Sequence, residues 1–143
     1  MKKFFLSIIF TIILGVFAGN FLCNYVHAKD SKTLYLLSTG SYIDYKEALK
    51  DSNELNNKII IEKDMSYDVI IGASFNKSNL NKISKIYKNK GYTYFIKEEE
   101  ISDKEFIKNM NNFDLILKSS TKKDEINKIN GIILSYYEEK FIK

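Results

Sequence analysis

Past the uncharged stretch Phe4 to Val26, apolar and polar residues fall into one pattern that occurs twice. Thr33 to Thr39 is rich in β-formers and ends in Gly40-Ser41-Tyr42. Asp44 then caps a helix predicted from about Tyr45 to Asn56, with Glu47 three residues on completing a capping box. Ile59-Ile60-Ile61, within Lys58 to Glu62, reads as a buried strand. The second pass starts at Tyr67, where Asp68-Val69-Ile70-Ile71 runs into Gly72-Ala73-Ser74-Phe75. A helix follows from about Ser78 to Asn89, with Leu80, Ile83, Ile86 and Tyr87 on one stripe, and Gly91 closes it. Tyr92 to Lys97 is the last strand of the pattern. Strand, helix, strand, twice over, predicts an α+β domain of the split βαβ, ferredoxin-like kind. Its four-stranded sheet is antiparallel, with both helices on one face.

The chain continues as two helices at 101–143. Ser102-Asp103-Lys104-Glu105 is a capping box, and Phe106, Ile107, Met110, Phe113 and Leu117 follow at helical spacing. Ser119-Ser120-Thr121 interrupts the pattern. A longer helix then starts near Lys122, with Ile126, Ile129, Ile133, Tyr136 or Tyr137, and Phe141 on its apolar side. Gly131 in its middle costs about 1 kcal/mol against Ala. The repeat's strands are apolar on both sides: Leu34, Leu36 and Ile70 alternate with Tyr35, Leu37, Val69 and Ile71. Two helices cover only one face of such a sheet. One or both C-terminal helices are therefore expected near the other face, narrowing any groove there to its turn-lined end. The rival arrangement is a helical hairpin beside the sheet, or one that waits for a partner.

Composition narrows the chemistry. The 143 residues carry 22 Lys and 18 Asp or Glu for a net charge of +4, two of the lysines being Lys2 and Lys3. Charge so balanced is a poor basis for capturing nucleic acid. Lys90 to Lys97 (KGYTYFIK) imitates the aromatic octamer of RNA-recognition motifs, but it falls on the fourth strand rather than the third, so no nucleic-acid partner is expected. One Cys and one His exclude an internal disulfide, a multi-cysteine zinc site and a multi-histidine metal site. Cys23 lies in the apolar start and His27 at its boundary, so neither can pair with the other or with Ser inside the domain. Glu98-Glu99-Glu100 reads as a solvated acidic loop rather than an acid–base pair. No catalytic residue, metal or cofactor is expected.

Phe4 to Val26 is long enough to span a bilayer as a helix, at ~20 residues. Lys2 and Lys3 favour a cytoplasmic N-terminus. The other reading is a signal peptide cleaved near Val26-His27-Ala28. Gly15 and Gly19 are read as ordinary small residues of a membrane helix. Either way the remainder is expected outside the cytoplasmic membrane. The expected organisation is an anchor or signal peptide at 1–27, a linker at 28–32, the βαββαβ domain at 33–100 and a helical extension at 101–143.

The duplicated strand ending in Gly, then a small residue, an aromatic residue and a helix, resembles the SPOR domain of bacterial envelope proteins. Leu36-Leu37-Ser38-Thr39-Gly40-Ser41-Tyr42 is similar to the first signature of that family, and Val69-Ile70-Ile71-Gly72 to the second. The resemblance covers about Thr33 to Lys97. It implies a ferredoxin-like fold that binds peptidoglycan glycan strands stripped of stem peptides, behind a single N-terminal anchor, in division or sporulation. It also implies that Asp68, Ile70 and Gly72 share the sheet face of Leu36, Ser38 and Gly40. The implied glycan-binding residues are Ser38, Gly40, Ser41, Tyr42, Ile70, Gly72, Ser74 and Phe75. Ser38 and Ile70 stand where the family often has polar, glycan-facing side chains, and the second signature is one residue longer than the first. The alternative is a membrane-anchored protein–protein module that has lost glycan binding and contacts a partner through its C-terminal helices.

Overall fold

In the computed structural model, residues 31–143 are described. The chain from Lys32 runs β1 (Lys32–Tyr42), α1 (Tyr45–Asp51), β2 (Ile59–Lys63), β3 (Ser66–Ser74), α2 (Lys77–Lys88), β4 (Phe95–Ile101), α3 (Lys104–Ser119) and α4 (Lys123–Phe141). The expected anchor or signal peptide at 1–27, with Cys23 and His27, lies outside the described residues. Among the described residues, no helix is long and apolar enough to cross a membrane. The strands form one antiparallel sheet in the order β2-β3-β1-β4, the order of the split βαβ arrangement. Lys32 to Lys143 is a single compact unit, so α3 and α4 belong to the domain rather than extending from it.

Several boundaries differ from expectation, each for a local reason. β1 continues through Gly40-Ser41-Tyr42, because Ser41 and Tyr42 pair with Asp68 and Tyr67 on β3. α1 ends at Asp51, short of Asn56. The Ser52 hydroxyl folds back onto the Ala48 carbonyl (2.6 Å), and the Lys58 ammonium takes the carbonyls of Ser52 (2.7 Å) and Leu55 (3.3 Å). β4 lies three residues later than expected. Glu98-Glu99-Glu100, read as a loop, are strand residues opposite Tyr35, Leu34 and Thr33. The glutamates line an outer strand, where charge discourages pairing with another chain.

The β1–β3 register contains two irregularities. Leu37 faces Gly72, Ser38 faces Ile70, and Gly40 faces Val69, so Ile71 and Thr39 are each skipped. Each skipped residue moves the rest of its strand to the opposite face. One face therefore carries Leu34, Leu36, Ser38, Ser41, Asp68, Ile70, Lys97 and Glu99. The other carries Tyr35, Leu37, Gly40, Tyr42, Tyr67, Val69 and Glu98. The expectation that Gly40 and Gly72 share the face of Ser38 is corrected by these bulges. Ser38, Asp68 and Ile70 do share one.

α1 and α2 attend the second face. Tyr45 meets Tyr67 edge to face at 5.6 Å, and Lys77 sits over Tyr35 at 4.6 Å and pairs with Glu98 at 3.3 Å. Ile83 lies so close to Gly72 that a Cβ there would come within 2.8 Å of it, so only Gly permits this approach of α2. Gly91, with φ +85, turns the chain out of α2 as expected.

α3 and α4 are fastened by polar contacts as well as packing. Asp103 caps α3 by accepting from Phe106 N–H (2.7 Å), which holds its carboxyl below the usual range, and Lys140 of α4 reaches it at 3.3 Å. Lys82 of α2 donates to the α3-terminal carbonyls of Leu117, Lys118 and Ser120 at 2.8–3.1 Å. Asn130 of α4 donates to the carbonyl of Ile71 (2.8 Å), the residue the bulge leaves without a β1 partner. Phe106 centres the packing. It is fully buried, stacked on Tyr136 at 5.2 Å and met edge-on by Phe75, Tyr137 and Phe141.

Candidate functional site

The face bearing Leu36 and Ile70 is covered over only part of its length. Tyr137 of α4 stands at the limit of that cover, and beyond it a cavity of about 370 Å³ opens toward the β2–β3 turn. Leu36 and Ile70 form its floor, Ile61 one flank, and Lys63, Asp64 and Ser66 the turn end. The turn itself is tight. Asp64 and Met65 both take positive φ (51 and 59), the form a two-residue hairpin loop requires, although neither is Gly. Met65 projects into solvent, 91% exposed.

Polar groups from three strands converge on this floor. Asp68 of β3 is buried, and its carboxylate accepts from the Ser41 hydroxyl of β1 and the Lys97 ammonium of β4. Lys97 also donates to the Ser41 hydroxyl (3.2 Å), which closes a three-membered network across β3, β1 and β4. The Lys97 side chain remains 35% exposed and lines the opening. At the other border Tyr137 donates to Glu99 (2.6 Å), and burial together with that carboxylate raises the phenol well above its ordinary value. The result is a shallow apolar floor between a Lys–Asp–Ser network and a Tyr–Glu pair. It offers hydrogen-bond donors and acceptors, and among the described residues no group of three or more His, Cys, Asp and Glu could hold a metal ion.

The residues implied by the resemblance separate into three places. Ser41 and Ile70 lie at or in this cavity, and Ser38 is buried next to it, its hydroxyl donating to the Gly40 carbonyl (3.3 Å). Gly40 and Tyr42 lie on the opposite face, the Tyr42 ring folded over Gly40 and its phenol raised by burial and by Asp51. Ser74 and Phe75 are buried beneath α3. Asp114 accepts from the Ser74 hydroxyl and from Phe75 N–H (3.0 Å), and Phe75 packs on Phe106. Gly72 is closed by Ile83. The strand-to-helix turn at Ser74-Phe75 is thus part of the core, and Lys97, Asp68, Ile61, Glu99 and Tyr137 surround the opening instead. Asp68 had a visible signal, since it shares the Ile70 face by alternation. Lys97 and Glu99 were hidden by the late start of β4, and Tyr137 by the choice between two adjacent tyrosines.

No family model and no curated protein matches the chain. Among solved structures, it is similar to the peptidoglycan binding domain of the B. subtilis cell wall lytic enzyme CwlC, with 26% identity and a TM-score of 0.40 over 48% of this chain and 91% of that domain.

Proposed function

We propose that this chain is a membrane-tethered envelope protein whose SPOR-like domain holds denuded peptidoglycan glycan without cleaving it, in sporulation or cell division. The observation that carries the reading is the half-covered sheet face, an apolar floor bordered by Lys97, Asp68 and Ser41 on the face that the resemblance assigns to glycan. A sugar ring has apolar C–H faces and a girdle of hydroxyls. The partly exposed Ile61 on the flank suits the first, and the border groups can replace water at the second, which matters because an unpaired buried polar group costs about 1–3 kcal/mol. The tether rests on Phe4 to Val26 behind Lys2 and Lys3.

Co-sedimentation with amidase-treated sacculi tests the site. The parent should pellet, and Lys97→Gln and Ile61→Glu, both at the border, should pellet several-fold less while keeping their far-UV spectrum. Unchanged pelleting of both variants refutes the groove, and release of wall fragments by the pure protein refutes the non-enzymatic reading. Protease added to intact protoplasts should digest the domain, and full protection rejects the topology. A second reading, a protein–protein module, is favoured by the exposure of Leu115 (65%) and Ile116 (49%) on α3. Retention on sacculi that survives Leu115→Ser/Ile116→Ser but not Lys97→Gln separates the two.

A further inference from the structure

Charge along this chain is segregated in a way that the total of +4 conceals. Between Asp68 and Glu98 there is no acidic residue at all, while six lysines occur, five of them on or just after α2 or at its start. The α3–α4 junction adds Lys118, Lys122 and Lys123. These two segments meet in the fold, because Lys82 binds the end of α3 and α2 packs against α4. Along their seam lie two adjoining cavities of about 360 and 200 Å³ that share Ile86 and Lys123 as lining residues. Lys85, Lys90 and Lys123 line this groove, and Asp124 is the one carboxylate among its lining residues. Lys82 also lines it, its ammonium already held by the α3-terminal carbonyls, and Asn89, Thr121 and Asn127 set neutral hydrogen-bonding groups around a floor of Ile86 and Ile126.

The geometry points to a second binding surface: the α2–α4 groove takes a phosphodiester-linked polyanion of the envelope, a polyol-phosphate wall polymer. Three features choose this occupant. Lys122 is already paired with Glu125 at 3.6 Å, but Lys85, Lys90 and Lys123 outnumber Asp124 in the groove, and this cationic excess attracts a repeating anion and gains from counterion release. The groove floor, Ile86 and Ile126, is only 7% and 6% exposed, too little to anchor the apolar side chains of an acidic peptide. Its one aromatic lining residue, Tyr87, is buried, so there is no stacking platform of the kind single-stranded nucleic acid uses. Asn and Thr side chains suit the hydroxyls of a polyol. The choice of an envelope polymer rests on the envelope location proposed above, whereas the groove lies away from the glycan cavity and shares no lining residue with it.

The test uses the full chain in neutral detergent and titrates fluorescent poly(glycerol phosphate) over a range of salt. The parent should bind at low salt and weaken as salt rises. Lys85→Glu/Lys90→Glu/Lys123→Glu should lose at least about tenfold in affinity and about 2 in the log–log salt slope, whereas the triple Lys→Arg variant should bind like the parent. Sacculi treated with amidase and stripped of anionic polymer should still retain the Glu variant, which also shows that it is folded. A parent that pellets with stripped sacculi but ignores the polymer overturns this inference and leaves the glycan reading standing. A parent that binds the polymer but not stripped sacculi does the reverse. Equal or tighter binding to single-stranded oligonucleotides or to phosphatidylglycerol vesicles, or a Glu variant that binds the polymer undiminished, overturns the assignment.

Discussion

Replacing Phe106 by Ala tests whether the C-terminal helices are part of the folding unit. Phe106 sits in the first turn of α3 and is completely buried among Phe75, Tyr136, Tyr137 and Phe141. Only Phe75 of these belongs to the βαββαβ segment, so the ring joins the repeat to α4 through α3. A Phe→Ala change in a core costs about 3–5 kcal/mol, from lost transfer energy and the cavity left behind. Four ring contacts at 4.8–6.4 Å place this site at the upper end. Against a domain stability of about 5–15 kcal/mol that is a large fraction. With a urea m-value of roughly 1–3 kcal/mol/M, the midpoint should fall by about 2–5 M. Unfolding should be followed by far-UV ellipticity and by tyrosine fluorescence on the same samples. If the unit is cooperative, the two curves shift together and stay superimposed. A loss below about 1 kcal/mol, or an early transition in which helix is lost while the sheet signal persists, refutes the claim that α3 and α4 are integral.

Three further outcomes rest on named contacts. Asp68→Ala removes the carboxylate that holds Lys97 and Ser41, and because Lys97 is partly solvated the loss of stability should be about 1–2 kcal/mol rather than the larger cost of a fully buried pair; retention on denuded sacculi should fall more than this, and equal retention removes Asp68 from the site. Burial pushes the Tyr87 phenol from 10.0 up to about 12, and burial with Glu99 raises Tyr137 further still. The folded state therefore holds these protons more tightly than the unfolded chain, so their contribution is complete below pH 10 and drains away as pH climbs toward 12; a urea midpoint that stays level across that window contradicts the burial. Met65→Gly relieves a left-handed backbone at a residue with no packing to lose, so after the added chain entropy of Gly it should raise stability by up to about 1 kcal/mol; a fall in melting temperature would show that the turn carries no strain at Met65.

The order of elements was legible because its signals are local. Asp44 caps the helix it precedes, Gly91 closes α2, and the apolar stripes of α2, α3 and α4 repeat at helical spacing; the cap of α3 falls one residue past the Ser102 of the predicted capping box, on Asp103, whose carboxylate takes Phe106 N–H. The register was not legible. Thr39 and Ile71 are ordinary β-formers in strands that alternate well, and nothing in their chemistry marks them as the skipped residues. The longer second signature was the one trace of the difference. Its consequence is large, since two bulges separate Gly40 from Ser38 and Gly72 from Ile70 and so divide the implied glycan residues between two faces. β4 misled for another reason. Three consecutive glutamates have low strand propensity, and only pairing with Leu34 and Tyr35, which lie 63–65 positions away in sequence, holds them extended.

Where α4 stops is what gives the sheet face a site. Leu34, Leu36, Ile70 and Ile101 would form an apolar surface too large to leave in water if no helix crossed it, and a helix along the whole face would leave no opening. The observed compromise is set by particular anchors. Asn130 is tied to the Ile71 bulge and Tyr137 to Glu99, which brings α4 over the end of the sheet nearer Ile101 and leaves the end nearer the β2–β3 turn open. The residues left beside the opening are those whose polar groups already have partners, Asp68 with Ser41 and Lys97, so the uncovered end is stable in water without a ligand. The apolar Ile70 that looked unsuited to a sugar face is then accounted for. It forms the floor where cover and opening meet, while at the border Lys97 reaches the solvent from an edge strand and Tyr137 arrives from a helix outside the repeat.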